Sequence, residues 1–401
     1  MGNKDIQILR DLAKKVAEAA ALPKQEETRN LWRGVNSLNT SRPAVMIDQV
    51  PWNELPFELE CQDAELRKWE EQLKRSLYYH ENLPCDYVVD NFIGIAPEIT
   101  GMLDAFYFDL GVYTQEHTTA IDSTSAVVSH SYVNQFETFD GIEKIKLPVL
   151  SLNKEETNRR MQLAQEIFGG IIDVRLNDVN PYISVWDHLA LWMGVENIMF
   201  ALADEPEFML ALANRMVECY VSGIKQLKEL GVFSTSLSWI HCTGAWTSEA
   251  NKSWVFGLAQ PLGSVSPAMY EEFEIEPSLP IFEEFDLVYY GCCDSLDKKM
   301  DAVKRIPNLR KVSVSPWADR RKMAAQLGKD YVFSWKPNPA YLAMENFDED
   351  LIRNDINETI EICKEFGCTL EIILKDVSTI KYQPERLHRW AEIAKECVLS
   401  K

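Results

Sequence analysis

Between residues 287 and 376, short apolar runs end at polar residues and are followed by amphipathic segments. The runs read LVYYGC at 287–292, KVSVS at 311–315, YVFSW at 331–335 and LEIIL at 370–374. Apolar residues recur at helical spacing in the segments 295–306, 317–327, 350–366 and 385–398. Strands that alternate with helices pair in parallel, so the pattern predicts an α/β fold with a parallel sheet.

The same pattern extends upstream of residue 287. A run at 235–241 (TSLSWIH) precedes a helical segment at 267–285, which gives five consecutive β–α units. Further strand-like runs lie at 86–93 and 170–175, with helices predicted at 187–202 and 205–230. Five units with more strands before them favour a (β/α)8 TIM barrel. A doubly wound open sheet is the alternative, although no glycine-rich dinucleotide or Walker loop follows a strand.

The first 85 residues have a different character, which suggests two domains. Residues 5–20 show helical spacing of apolar residues, and Asp63 is positioned to cap a second helix. The stretch 95–150 has weak periodicity and many turn residues, which predicts an insertion or cap. We therefore expect a helical N-terminal extension over 1–85, packed on a barrel that spans 86–401.

Charge and composition exclude several classes of protein. The 401 residues include 41 Lys and Arg against 62 Asp and Glu, a formal net charge of −21. Nucleic-acid binding and adsorption to an anionic membrane both need clustered basic residues, so neither is expected. No apolar run has the roughly 20 residues of a transmembrane helix, and the first residues, MGNKD, lack an apolar signal core. These features predict a cytoplasmic protein.

The nine cysteines do not resemble a disulfide framework. Their number is odd and their spacing irregular, and most are expected to be buried thiols in a reducing compartment. Cys242, which follows His241, and the adjacent Cys292 and Cys293 are the exceptions.

Chemistry is expected where the strands end, because active sites of β/α barrels lie at the carboxyl ends of the strands. The residues found there are His241, Tyr290, Cys292, Cys293, Asp294, Trp317, Trp335, Lys336, Lys375 and Asp376. Thiolate and imidazole ligands suit zinc, so His241, Cys292 and Cys293 are candidate metal ligands. Strand alternation would point Cys292 and Cys293 to opposite faces.

The other strand-end residues suggest acid–base and binding roles. Lys375 and Asp376 are expected to form a pair that tunes a proton donor, with Tyr290 and Asp294 as further acid–base candidates. For Asp294 the alternative is a helix N-cap. Trp317 and Trp335 would stack on a flat ligand or else belong to the core, and Lys336 would meet an anionic group or solvent.

Four segments, taken in order, resemble the uroporphyrinogen decarboxylase superfamily. They read VWDHL at 185–189, ENIMF at 196–200, DEPEF at 204–208 and SPAMYEEF at 266–273. The chain looks most similar to the corrinoid-dependent methyltransferase branch of that superfamily. The resemblance implies a (β/α)8 barrel, a corrinoid supplied by a partner protein and, in many members, a homodimer. An early Arg-Gln-Ala-Gly-Arg run typical of true uroporphyrinogen decarboxylases is missing, since residues 42–49 read RPAVMIDQ.

The zinc motif of that branch is only partly present. Where the family has His-x-Cys-Gly-Asn, residues 290–294 read YGCCD, and the final loop 374–378 (LKDVS) lacks the family's last cysteine. Against that motif, Cys292 keeps the cysteine position and Tyr290 replaces the histidine. We expect His241 to substitute for that histidine, with Asp376, Cys293 or Asp294 supplying a further ligand.

The function expected from this resemblance is methyl transfer between a small methylated substrate and a corrinoid protein. A methoxylated aromatic compound would suit the two tryptophans. The alternatives are decarboxylation of a small acid, with Lys336 holding a carboxylate, and a barrel that only binds a corrinoid or a metal.

Overall fold

The structure is a computed structural model that describes residues 3–104, 107–120, 128–233, 235 and 237–400. Parts of the predicted insertion at 95–150 and of the predicted strand at 235–241 lie outside these residues, as does the N-terminal Met1-Gly2.

The described residues form fourteen α-helices and fourteen strands. The helices are α1 (Asn3–Ala20), α2 (Pro23–Asn36), α3 (Ala64–Asn82), α4 (Lys154–Phe168), α5 (Val185–Met193), α6 (Val195–Asp204), α7 (Pro206–Glu229), α8 (Pro267–Tyr270), α9 (Glu276–Phe282), α10 (Met300–Val303), α11 (Arg320–Leu327), α12 (Ala340–Ala343), α13 (Glu349–Phe366) and α14 (Pro384–Leu399). The strands are β1 (Ala44–Ile47), β2 (Phe92–Ile95), β3 (Ile99–Thr100), β4 (Glu116–Ala120), β5 (Val128–Tyr132), β6 (Ser151–Leu152), β7 (Asp173–Leu176), β8 (Trp239–Ile240), β9 (Thr243–Gly244), β10 (Trp254–Gly257), β11 (Leu287–Tyr290), β12 (Leu309–Val314), β13 (Val332–Trp335) and β14 (Thr369–Leu374).

Six parallel strands form the central sheet in the order β1-β14-β13-β12-β11-β10. Each of these six strands is buried along most of its length, which explains the continuous apolar runs in the sequence. The sheet follows chain order from β10 to β14 and then joins the last strand to the first. That closure is typical of a barrel, whereas an open doubly wound sheet reverses its order in the middle.

Single backbone contacts continue both edges of this curled sheet. Asp86 N donates to Val45 O of β1 (2.7 Å), and Ile183 forms a parallel bridge with Gly257 of β10. The parallel pair β2-β7 adds two further strands from the first half of the chain. The α/β class with a parallel sheet is thus confirmed, while closure into a full eight-stranded barrel stays a prediction.

Some predicted boundaries are wrong in informative ways. The run WVFG at 254–257 forms β10, a sheet strand that the sequence analysis missed. The predicted strand 235–241 is reduced to β8, which turns back as a hairpin with β9. Among helices, 295–306 shrinks to the four residues of α10, whereas α13 and α14 agree with prediction to within one residue at each end.

The N-terminal segment is not separate from the sheet. Asp63 caps α3 as predicted, accepting from Glu65 N (2.9 Å) and Leu66 N (3.1 Å). However, β1 lies within residues 1–85 and pairs with β14 along four residues. The division into an extension and a barrel therefore stays a prediction, and its boundary does not separate the sheet strands.

The interior of the sheet contains a buried ion pair. Lys311 Nζ lies 2.7 Å from Glu371 Oε2, and both side chains are inaccessible to solvent. Thr243 and Ser334 add hydrogen bonds to the same carboxylate (2.9 and 2.5 Å), so its oxygens are satisfied away from water.

Across the described residues, no helix has the length and apolar content needed to span a membrane.

Candidate active site

Two adjacent thiols face one another directly after β11. The strand ends at Tyr290, and Gly291 follows at φ 93°, a conformation that favours glycine. Strand alternation therefore stops before the cysteines, and the Sγ atoms of Cys292 and Cys293 lie 3.6 Å apart. The prediction that they would point to opposite faces is wrong for this reason. Cys292 is buried and Cys293 is exposed.

The ammonium group of Lys375, from the end of β14, lies between these thiols and a carboxylate. Its Nζ is 2.9 Å from Cys292 Sγ, 3.4 Å from Cys293 Sγ and 2.9 Å from Asp376 Oδ2. Cys293 Sγ in turn donates to Asp376 Oδ2 at 3.1 Å. We call Cys292, Cys293, Lys375 and Asp376 the thiol–lysine cluster.

The contacts within this cluster separate the two thiols in acidity. Hydrogen bonding from Cys293, together with His241 and Lys375, lowers the pKa of Cys292 to about 3 despite burial. The same hydrogen bond raises the pKa of Cys293, which keeps its proton. Burial opposes the charge on Lys375, but the neighbouring sulfur of Cys292 raises the pKa of the amine above its usual value. The cluster thus holds a sulfur anion against an ammonium cation.

His241 and Asp48 adjoin the cluster from two other strand ends. The ring of His241 stacks on Phe256 (centroids 3.9 Å apart), and its Nε2 is buried with no hydrogen-bond partner in the described part of the chain. Burial raises the pKa of Asp48, while the charges of His241 and Lys375 oppose that rise. Sequence analysis missed Asp48, although it follows the buried run AVMI of β1 just as the other candidates follow their strands.

Asp294 is a buried carboxylate beside Cys292, and it is not a helix cap. Its Oδ1 accepts from Cys292 N at 3.4 Å, and its Oδ2 is buried without a partner among the described residues. Burial raises the pKa of Asp294 to about 6, with Lys299 opposing the rise. A carboxyl group that titrates near neutral pH is suited to proton transfer.

Tyr290 lies in a different environment from the thiol–lysine cluster. Its hydroxyl is 2.7 Å from Tyr270 Oη and donates to Glu274 Oε1 at 2.9 Å. Alternation along β11 explains this placement, because Tyr289 contacts Ser334 inside the sheet while Tyr290 faces the helices. The structure therefore does not bring Tyr290 to the strand-end cluster, and the buried Glu274 was not foreseen.

The two tryptophans are also not brought together. Trp335 is buried against Arg320 of α11, whose guanidinium lies 5.7 Å from the ring centroid, so it packs in the helix layer. Trp317 is 71% exposed. The expectation that both rings stack on one ligand is wrong for Trp335. Adjacent side chains of a strand point to opposite faces, and the preceding Ser334 points into the sheet interior, so Trp335 points toward the helices.

Lys336 is fully buried inside the sheet. Its Nζ donates to Ser334 Oγ (2.6 Å) and lies 5.2 Å from the ring centroid of Tyr289. Burial lowers the pKa of this amine, with Cys242 and Glu371 opposing the fall. Lys336 is therefore not solvated, and its contact with an anionic group of a ligand stays a prediction.

The strand-end donors, as arranged, do not fit a zinc ion. Among the described residues, no group of three or more His, Cys, Asp or Glu side chains is placed to hold a metal. The physical reason is the position of Lys375, whose ammonium occupies the space between the two sulfurs and Asp376. A protonated amine offers no lone pair to a metal. Zinc at His241, Cys292 and Cys293 stays a prediction of the family resemblance.

Comparison with known proteins gives a fold but no family. No protein-family model matches the sequence, and no curated protein matches it. Among solved structures, a methyltransferase from Methanosarcina mazei aligns with a TM-score of 0.53 and 10% identity, covering 92% of this chain and 97% of that chain. The chain shares that fold. The comparison does not confirm the resemblance to the uroporphyrinogen decarboxylase superfamily, which stays a prediction.

Proposed function

We propose that the protein is a methyltransferase that moves a methyl group between a small methylated substrate and the corrinoid of a separate protein. The observation that carries this proposal is the thiol–lysine cluster at the carboxyl ends of β11 and β14. That is the edge where enzymes of this architecture bind substrate. The fold shared with a methyltransferase over 92% of the chain supports the assignment.

Methyl transfer from oxygen, nitrogen or sulfur requires that the leaving atom gain a proton or a positive neighbour. Lys375 supplies a fixed positive charge, because its contacts keep the ammonium protonated. Asp294 supplies an exchangeable proton, since its pKa is about 6 and its Oδ2 has no partner among the described residues. We assign Lys375 to charge stabilisation and Asp294 to proton donation, with Asp376 fixing Lys375 and Cys293 in place.

The corrinoid belongs to a partner protein in this proposal. The sequence carries no Asp-x-His-x-x-Gly segment of the kind that binds a corrinoid. The corrinoid would accept or supply the methyl group. The residues of this chain would hold the small substrate at the strand ends and present its methyl group outward, past the exposed Cys293.

The substrate class is narrowed by the two tryptophans and by charge. With Trp335 in the helix layer, only the exposed Trp317 remains to support a methoxylated aromatic substrate. The ammonium of Lys375 at the strand ends favours a substrate that carries an anionic group. The same positive charge favours decarboxylation of a small acid as the second candidate function.

The test uses chemically reduced free cobalamin as methyl acceptor, with methylated amines, methyl sulfides, methanol and methoxybenzoates as donors. We expect one donor class to be demethylated faster than in a protein-free control, followed by corrinoid absorbance and product mass. Lys375→Met should slow the reaction at least tenfold, whereas Lys298→Met, at an exposed lysine, should not. If no donor reacts with free cobalamin or with purified corrinoid proteins, and small acids release carbon dioxide instead, the methyltransferase assignment is overturned.

A further inference from the structure

Lys375 has an ammonium group at the position where this site would need a metal ion. It contacts Cys292 Sγ at 2.9 Å, Cys293 Sγ at 3.4 Å and Asp376 Oδ2 at 2.9 Å. One cation therefore contacts three atoms whose lone pairs could otherwise bind a metal. Its side chain is only 3% exposed, and its contact with the buried Cys292 Sγ is shielded from bulk water. We propose that Cys292 is a metal-free nucleophile, activated by Lys375, that forms covalent adducts with soft alkyl electrophiles.

The contacts single out Cys292 rather than Cys293 as the nucleophile. Cys293 Sγ donates to Asp376 Oδ2 at 3.1 Å, and the negative charge of that carboxylate opposes ionisation of Cys293. Lys375 Nζ lies closer to Cys292 Sγ (2.9 Å) than to Cys293 Sγ (3.4 Å), so the ammonium favours negative charge on Cys292. His241 adds a third polar group, with a buried Nε2 that has no partner in the described residues.

The backbone holds this arrangement in place on both sides. Gly291, before the thiols, has φ 93°, and an added Cβ would lie 2.5 Å from Leu296 Cδ1. Asp376, after Lys375, has φ 57°, which is uncommon for a residue other than glycine. Ser313 Oγ donates to Cys292 O at 2.9 Å and fixes the cysteine backbone to β12. Such strain is maintained where the surrounding structure requires it, often at functional sites.

The proposed step is a simple displacement at carbon. Sγ of Cys292, as the anion, forms a carbon–sulfur bond while the bond from carbon to the leaving group breaks. The leaving group departs with the electron pair as an anion, and Lys375 remains an ammonium ion that stabilises it. No oxidant, reductant or metal takes part. This step is independent of the proposed methyl transfer, since it needs neither a corrinoid nor a methyl donor.

The test is alkylation of the intact protein by a limiting amount of iodoacetamide, followed by intact mass and peptide mapping. We expect the first adduct on Cys292, even though Cys293 is more exposed. Cys292→Ser should remove this fast phase, whereas Cys293→Ser should still give its first adduct on Cys292. Lys375→Met should slow it at least tenfold, Lys375→Arg should preserve most of it, and Lys298→Met should leave it unchanged. Thermal melting curves for each variant separate loss of reactivity from loss of folding.

Metal content completes the experiment. We expect less than 0.1 equivalent of zinc in protein purified without chelator, and the same alkylation rate before and after treatment with a chelator. First labelling at Cys293, or equal labelling in Lys375→Met, would overturn the assignment of the nucleophile. Near-stoichiometric zinc that protects Cys292 until it is removed would overturn the metal-free site. Neither outcome depends on whether methyl transfer is detected.

Discussion

Glu274, a buried carboxyl group in contact with Tyr290, provides a test of how burial couples protonation to stability in this protein. The residue lies in a π-helical turn, Glu271–Ile275, and accepts from Tyr290 Oη (2.9 Å) and Ser278 Oγ (3.5 Å). Burial raises the pKa of Glu274 to about 8 from its ordinary value of 4.5. The native protein therefore keeps this proton at pH values where the unfolded chain has released it.

The sign of the pH effect follows from that difference. The contribution of Glu274 to stability is fully present below pH 4.5 and is lost as pH rises from 4.5 to about 8. At about 1.4 kcal/mol per pKa unit, the complete loss is about 5 kcal/mol. Unfolding entropy of about 2.1 cal/mol/K per residue makes each kcal/mol worth about 1 °C in a chain this long.

Glu274→Gln removes the ionisation and keeps an oxygen for the Tyr290 hydroxyl. We expect its melting temperature to match wild type near pH 5 and to exceed it by about 5 °C at pH 8.5, by the conversion above. Glu272→Gln, on the exposed side of the same turn, is the matched control and should show no such trend. A difference between Glu274→Gln and wild type that stays constant from pH 5 to 8.5 would refute the reasoning.

Three further predictions concern buried charges and the turn before the thiols. Asp86→Asn should destabilise the protein by about 3–5 kcal/mol, measured by denaturant unfolding, because Arg42 and Lys395 would lose their buried carboxylate partner. The wild type should lose the same contribution as pH falls below 4, since the two cations hold the pKa of Asp86 low despite its burial. Lys311→Met should cost about 3–5 kcal/mol, while the pair Lys311→Met with Glu371→Leu should recover most of it. Gly291→Ala should lower stability by about 1–3 kcal/mol and slow alkylation of Cys292, because φ 93° disfavours a side chain; equal alkylation rates would contradict the role given to this turn.

Local features were predictable because they depend on neighbouring residues. The apolar runs predicted as strands form β12, β13 and β14, and these strands are buried in the structure. Asp63 was recognisable as a cap from its position before a helical pattern. The strand β10 was missed, since its four residues, WVFG, are too short to show a period.

Side-chain direction was less predictable, because it depends on where a strand stops. Tyr290 and Trp335 are the last residues of their strands, and alternation points both side chains toward the helices. Neither therefore lines the strand-end cluster. Gly291 ends the alternation one residue later and turns both sulfurs to one side. A sequence pattern identifies the strand, but a shift of one residue at its end changes the face.

By itself, the sequence determined the α/β class, the run of parallel strands and the concentration of polar residues at their carboxyl ends. These properties follow from local periodicity and from the chemistry of each residue. Only the tertiary structure decided that Lys375 lies against Cys292, a residue 83 positions away, and that its ammonium takes the place a metal would need. That contact exists because the turns after β11 and β14 meet at the same end of the curled parallel sheet, a relation that no local pattern encodes.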